Sequence, residues 1–88
     1  MSLRFTTVFI HRNGLDRLKS ALDSAIKASS LVDEIIIVDN ASSDSSINQI
    51  TKTYPAIKII RNNSNLGYGH AANQGIKAGQ GEYFLICK

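Results

Sequence analysis

The sequence predicts an α/β fold with three layers, α/β/α, in which helices cover a parallel sheet of about four strands. Apolar, β-rich runs alternate strictly with amphipathic segments, the connections between them are short, and the second run holds four consecutive branched aliphatic residues. Short connections between parallel strands impose crossovers of one hand, so a reversal of the winding places helices on both faces. The chain is long enough for one domain, residues 1–88.

The first half of the chain contains two strands and one helix. Residues 5–10 are rich in Thr, Val, Phe and Ile and predict the first strand. After a polar turn, apolar residues recur at helical spacing between charged ones, at Leu15, Leu18, Leu22, Ala25 and Ile26. Residues 34–38 predict the second strand, and since four of them are consecutive aliphatics, both faces of this strand should be covered.

The second half continues the alternation. A turn and helix cap at 39–46 precede a shorter helix, which Pro55 stops. A third strand, a long polar loop, a helix rich in small residues and a fourth strand then follow, at residues 57–60, 61–68, 69–78 and 82–87.

Composition excludes several classes of function. The net charge of +3 comes from scattered basic residues, whereas nucleic-acid binding requires a clustered basic face, so no nucleic-acid partner is expected. No apolar run approaches the ~20 residues of a transmembrane helix. A single cysteine, Cys87, excludes an intramolecular disulfide, and His11 and His70 alone do not make a metal site. We expect a cytoplasmic protein.

Polar and flexible residues follow the predicted strands, in segments 11–13, 39–44 and 65–70. Ligands of open α/β sheets bind at the carboxyl ends of the strands, so these segments predict the site. Asp39 directly follows a buried strand, where its carboxylate can accept a hydrogen bond from the imide N–H of a pyrimidine. The alternative is that Asp39, Asn40, the serines and Asp44 build a turn and a cap, which we favour for the serines and Asp44.

The third segment enters a helix through two glycines, Gly67 and Gly69. They allow close approach of a ligand, and the amides of the helix start can face a phosphate. Asn73 lies inside this helix, and its amide either points to the ligand or braces a neighbouring loop.

In their order and spacing these segments resemble family 2 glycosyltransferases. The resemblance rests on four stretches, at residues 36–44, 54–62, 65–76 and 81–85. The resemblance spans nearly the whole chain and is nearest to the rhamnosyltransferase-like branch of the family. It implies the N-terminal half of a GT-A nucleotide-diphospho-sugar transferase fold, with a strand order resembling 3-2-1-4.

The resemblance also implies a function. The parent enzyme transfers a sugar from a nucleoside-diphosphate sugar, such as a UDP or dTDP sugar, with inversion and with a divalent cation, Mg or Mn, in polysaccharide or glycan synthesis. The family stretch Thr-Tyr-Asn lines the uridine pocket and matches His11, Arg12 and Asn13, of which Asn13 keeps the common residue. Asp39 matches the base-binding aspartate with Asn40 beside it, and Gly67 and Asn73 match residues near the nucleotide.

The chain ends at Lys88, before the family's acidic metal motif and its catalytic base. We therefore expect a truncated nucleotide-binding domain with no cofactor of its own and no catalytic residue, inactive alone. Loss of the later strands would leave an apolar edge, which predicts a homodimer through the fourth strand.

Two other interpretations are open to this sequence. A dinucleotide-binding domain needs a glycine fingerprint after its first strand, and Gly14 alone does not supply it. A non-catalytic remnant that self-associates or binds a partner remains the alternative function.

Overall fold

The alternation predicted from the sequence is confirmed by the structure, a computed structural model that describes residues 4–27 and 33–87. The elements in chain order are β1 (Phe5–His11), α1 (Leu15–Lys27), β2 (Glu34–Asp39), α2 (Ser46–Thr53), β3 (Lys58–Arg61), α3 (Tyr68–Ala78) and β4 (Tyr83–Cys87). The first two strands extend one residue further than predicted, so His11 and Asp39 are the last residues of strands rather than the first residues of loops. No helix among the described ranges is long and apolar enough to cross a membrane.

The four strands form one parallel sheet in the order β3-β2-β1-β4, which confirms the predicted fold class. The central strand β1 pairs with β2 from Thr6 to His11 and with β4 from Phe5 to Phe9. The chain moves outward from β1 to β2 and β3 and then returns to the other side of β1 as β4. The winding thus reverses between β1 and β4, the place where ligands of open α/β sheets bind.

Two apolar clusters hold the helices against opposite faces of the sheet. Helices α1 and α2 cover one face, in a cluster of buried residues formed by Phe9, Leu18, Leu22, Ile37, Ile47 and Ile50. Helix α3 covers the other face and packs Ala71 against Val8, Ile36 and Val38. The aliphatic run of β2 is therefore covered on both sides, and its residues Ile36, Ile37 and Val38 are fully buried.

Helix α3 approaches the sheet closely because it has a glycine at the contact. A Cβ built on Gly75 would lie 2.4 Å from Cγ1 and 2.9 Å from Cγ2 of Val8, far inside van der Waals contact. Gly75 therefore fixes the depth at which α3 sits, and with it the position of the amino-terminal end of the helix at the rim of the sheet.

The two edges of the sheet differ in their chemistry. The edge strand β3 has four residues and begins and ends with a charged residue, Lys58 and Arg61. The other edge strand, β4, has no charged residue between Tyr83 and Cys87, and it leaves the side chains of Tyr83 and Leu85 about half exposed, at 51% and 47%. Charged residues discourage pairing with another strand, so β3 is a protected edge and β4 is not.

Candidate functional site

A cleft of about 610 Å³ opens at the carboxyl end of β1, between the start of α1 and the start of α3. This volume is typical of small-molecule sites. It is lined by both apolar and polar residues, namely Phe9, Ile10, His11, Arg12, Asn13, Gly14, Arg17, Leu18, Ala21, Asn40, Asn65, Gly67 and Tyr68. Five of the seven residues predicted to bind nucleotide thus lie together around one cavity, namely His11, Arg12, Asn13, Asn40 and Gly67.

His11 closes β1 at the base of the cleft and is 7% exposed. Its Nε2 lies 2.9 Å from Ser46 Oγ, and the Ser46 hydroxyl donates its proton to Asp44 Oδ1. Because a carboxylate only accepts, Ser46 Oγ accepts from His11, which places the proton of the neutral ring on Nε2. Burial lowers the pKa of His11 below 6.5, and the charge of Arg17 adds to this effect, whereas Asp39 and Asp44 oppose it. Neutral His11 therefore donates one hydrogen bond and keeps an acceptor at Nδ1.

Asp44 is the anchor at the other end of this chain of hydrogen bonds. Its carboxylate accepts from the Ser46 hydroxyl, the Ser46 N–H and the Gly14 N–H. These bonds lower the pKa of Asp44 from 3.8 to about 2, and the bond from the Ser46 hydroxyl has the largest effect. The result supports the turn-and-cap interpretation of Asp44.

Asn13 ties the loop after β1 to the loop after β2. It adopts a left-handed backbone with φ of 57°, which asparagine tolerates well. Its Oδ1 accepts from the Ser43 N–H at 2.8 Å and from the Asp44 N–H at 3.3 Å, while its own N–H donates to Ser42 Oγ at 2.9 Å. Asn13 Oδ1 is therefore committed to the contact between the two loops beside the cleft.

Asp39 lies at the rim predicted for it, at the carboxyl end of β2 and opposite His11 in the β1 register. The side chain is 6% exposed, and it is not among the residues that line the cleft. Oδ1 accepts from the Ser42 hydroxyl and from the Ser42 N–H at 3.3 Å, so the carboxylate closes a turn. Its other oxygen, Oδ2, has a contact of 3.4 Å with the Ser42 N–H and so retains acceptor capacity.

Asn40 braces the loop between β3 and α3. It is 4% exposed, and its Oδ1 accepts from Asn62 Nδ2 at 2.9 Å while its Nδ2 donates to the carbonyl of Gly67 at 3.2 Å. Asn62 in turn exchanges two hydrogen bonds of 2.8 Å with the amide of Gln74 on α3. This amide network fixes Gly67 at the mouth of the cleft.

Gly67 precedes α3 in a backbone conformation with φ of 84° and ψ of 167°, which only glycine adopts readily. A Cβ here would meet no heavy atom within 4 Å, so the strain and not the space requires glycine. The first amides of a helix have no partner within it, and at this end of α3 the N-cap residue Gly67 and the first helical residue Tyr68 line the cleft. Tyr68 follows at the rim, 46% exposed.

Arg17 is a site residue that the sequence pattern did not reveal. Its place among the charged residues of an amphipathic helix indicated only a solvated face. In the structure it lines the cleft from the first turn of α1, and its guanidinium lies over Gly14, where a Cβ would be 3.1 Å from Nη2 and 3.2 Å from Nε. In the sequence, Arg17 comes one helical turn after the loop that follows β1, and this spacing could have indicated that it reaches the cleft.

Asn73 is not brought to the cleft. It lies exposed on α3, and it is not among the lining residues. Across the described part of the chain no group of three or more His, Cys, Asp and Glu residues could hold a metal ion. The lining residues include no carboxylate, so the residues present do not fit a divalent cation.

Comparisons with known proteins agree with this architecture. Two crystal structures of glucosyl-3-phosphoglycerate synthase from Mycobacterium tuberculosis superpose with TM-scores of 0.74 and 0.72, at 21% and 22% identity. Both contain Mn²⁺ and uridine diphosphate, one with glucosyl-3-phosphoglycerate and the other with phosphoglyceric acid. The matches cover 96% of this chain but 33% and 32% of those proteins, so the chain spans about a third of their length. No curated protein shows significant similarity to this chain.

The solved structures establish the likeness of fold, which is that of the N-terminal part of a GT-A enzyme. The family follows from the sequence, because the family described as Glycosyl transferase family 2 matches residues 6–87. The chain belongs to glycosyl transferase family 2.

Proposed function

We propose that this chain is the part of a family 2 glycosyltransferase that binds a nucleoside-diphosphate sugar, and that the complete enzyme transfers the sugar with inversion. One observation carries the proposal. Loops after β1, β2 and β3 converge on one cleft at the reversal of the sheet, and hydrogen bonds between them fix its walls. A superposable enzyme that was crystallised with uridine diphosphate supports the ligand class.

The cleft offers suitable contacts for each part of such a ligand. Ile10 and Leu18 supply apolar surface, and the half-exposed ring of Tyr68 can cover a base or a ribose. We assign Asp39 Oδ2 the imide N–H of a pyrimidine, because Oδ1 is already used by Ser42. A modest outward rotation of the Asp39 side chain would be required, since the carboxylate is nearly buried before binding.

We also propose that the complete enzyme uses a divalent cation. The carboxylates that bind this cation would have to come from residues outside this cleft, because the residues that line the cleft include no carboxylate. The 88 residues alone should therefore bind the donor without transferring its sugar.

Calorimetric titration with UDP and dTDP tests the proposal. We expect weak, saturable binding. Asp39→Asn should weaken it, because the amide has to point its oxygen at the imide N–H and lacks the negative charge that strengthens the hydrogen bond of the carboxylate. Asn73→Ala is the matched control, since Asn73 lies exposed outside the cleft. Absence of binding by the wild-type chain, or equal losses in the two variants, would contradict the proposal.

The apolar edge favours a second candidate function, self-association. The outer side of β4 carries no strand within the described residues, and Tyr83 and Leu85 are half exposed beside it. We propose that two copies pair through β4. A two-fold axis perpendicular to the sheet would make this pairing antiparallel and would yield a continuous sheet of both copies.

Light scattering at increasing concentration tests this candidate. We expect the mass of a dimer, and Leu85→Lys should convert it to a monomer by placing charge on the edge. Ile76→Lys on α3 is the control, because Ile76 is a similarly exposed aliphatic residue, at 41%, away from the edge. A monomer throughout the concentration range would exclude pairing through β4.

A further inference from the structure

The charges that face the cleft are of one sign. Arg12 and Arg17 both line it, and no carboxylate is among the lining residues. The ion pair found in ranges 4–27 and 33–87 joins Lys58 to Glu34 at the far end of the sheet, so neither cleft arginine is neutralised by a carboxylate there. Two guanidinium groups beside a cavity make it attractive to an anion.

Asp39 and Asp44, whose charges act on the cleft residue His11, already accept hydrogen bonds from other groups. Asp44 accepts from the Ser46 hydroxyl and from the Gly14 N–H, and Asp39 accepts from the Ser42 hydroxyl. These hydrogen bonds close the loops, and among the described residues neither carboxylate forms an ion pair with Arg12 or Arg17.

Arg17 lies directly over the loop that follows β1. Gly14 has φ of 103°, a conformation that disfavours a side chain, and its missing Cβ leaves room for the guanidinium directly above the backbone. Arg17 is also near His11, because its charge contributes to the lowered pKa of that imidazole. The buried, neutral His11 leaves the positive charge of this wall to the two arginines.

We propose that Arg12 and Arg17 form a subsite that binds the phosphate groups of a nucleotide without a metal ion. The inference rests on the proposed function and assigns the diphosphate to this wall of the cleft. Guanidinium groups suit the task because their planar N–H donors match phosphate oxygens in pairs. The shared chemistry is an anionic phosphate group, which a nucleotide or inorganic pyrophosphate can supply.

Calorimetry in the presence of EDTA, at low salt, separates the sources. Uridine, UMP, UDP and pyrophosphate are titrated into the wild-type chain, Arg12→Gln, Arg17→Gln, the double variant and Arg61→Gln. Arg61 is the control because it lies at the end of β3, outside the cleft, where its Nη2 donates to Asn48. Circular dichroism verifies the fold of each variant.

We expect the wild-type chain to bind UDP on the order of tenfold more tightly than uridine, since charge-assisted hydrogen bonds at a partly exposed site contribute at the lower end of their range. Each single variant should lose a large part of this preference and the double variant nearly all of it, with uridine affinity unchanged. A preference that survives in the double variant, or that falls equally in Arg61→Gln, overturns the inference.

Failure of the proposed function gives a different pattern. If the wild-type chain binds neither uridine nor UDP, the proposed nucleotide function is wrong. If it does not bind pyrophosphate either, the proposed phosphate subsite is wrong as well. Pyrophosphate binding that disappears in the double variant, without uridine binding, supports the anion subsite and refutes the nucleotide.

His11 provides a second readout. The groups that act on its ring are Asp39, Asp44 and Arg17, and an anion bound at Arg17 would offset the effect of that guanidinium. The NMR pKa of His11 should therefore rise when pyrophosphate is added to the wild-type chain and rise less in Arg17→Gln. An unchanged His11 titration at saturating pyrophosphate would place the anion elsewhere.

Discussion

Replacement of Gly75 by alanine tests how α3 is seated on the sheet. The new Cβ would lie 2.4 Å from a methyl of Val8, a side chain that is fully buried and cannot move aside. Overpacking costs about 1–3 kcal/mol, and an overlap of this size belongs at the upper end. The gain in helix propensity offsets roughly 1 kcal/mol, which leaves a net loss of about 2 kcal/mol. For a domain of this size the loss corresponds to a fall in Tm of about 8–16 °C.

Gly69→Ala is the matched control in the same helix. A Cβ there meets nothing within 4 Å, so alanine should raise the stability by up to about 1 kcal/mol. Urea unfolding followed by circular dichroism measures both variants. Val8→Ala combined with Gly75→Ala should cost less than the sum of the single changes, because the smaller side chain makes room for the new methyl. The packing of α3 described above is refuted if Gly75→Ala is as stable as Gly69→Ala.

Three further predictions concern the loops around the cleft. Asn40→Ala should cost about 1–3 kcal/mol, because it removes the hydrogen bonds that a buried amide donates to Gly67 and accepts from Asn62, and it should speed amide exchange in the loop at Gly67. Exposed Asn73→Ala should change stability by no more than about 0.5 kcal/mol. The pKa of Asp44 is about 2 in the folded chain against 3.8 ordinarily, so its contribution is present above about pH 4 and is lost as the pH falls through about 2. Urea unfolding of Asp44→Ala should therefore show a deficit at neutral pH that shrinks toward pH 2, and a deficit independent of pH would contradict this. The pKa of His11 is lowered below 6.5 in the folded chain, so the wild-type chain should lose stability as the pH falls from about 7.5 to 5.5. His11→Gln should lose less stability over the same interval. Parallel pH profiles of the two proteins would show that His11 is not buried in the folded chain.

The fold could be predicted from the sequence because it follows from local patterns. The unbroken aliphatic run at Ile36, Ile37 and Val38 requires cover on both faces, and the structure buries all three completely. Pro55 predicts where the second helix ends. The strand order, by contrast, came from the family resemblance, because periodicity does not distinguish which side of β1 receives β4.

The site was predictable in place but not in detail. The position of polar residues after strands was sufficient to locate the rim where Asn13, Asn40 and Gly67 meet. Their roles depend on partners 22 to 31 positions away in sequence, as in the Asn13–Asp44 and Asn40–Asn62 hydrogen bonds, which no local pattern encodes. Arg17 was missed for the same reason, since its proximity to the cleft depends on how α1 leaves the loop over Gly14.

The central claim is that the cleft between the end of β1 and the start of α3 holds a nucleotide. Titration of the ¹⁵N-labelled chain with UDP, followed by ¹H–¹⁵N correlation spectra, tests it most directly. We predict saturable shifts at the amides of Asn13, Gly14, Gly67 and Tyr68, with Lys58 at the far end of the sheet unchanged. Unchanged spectra at millimolar UDP, or shifts centred on a second cavity, which Ile57 and Lys58 help to line, would contradict the claim.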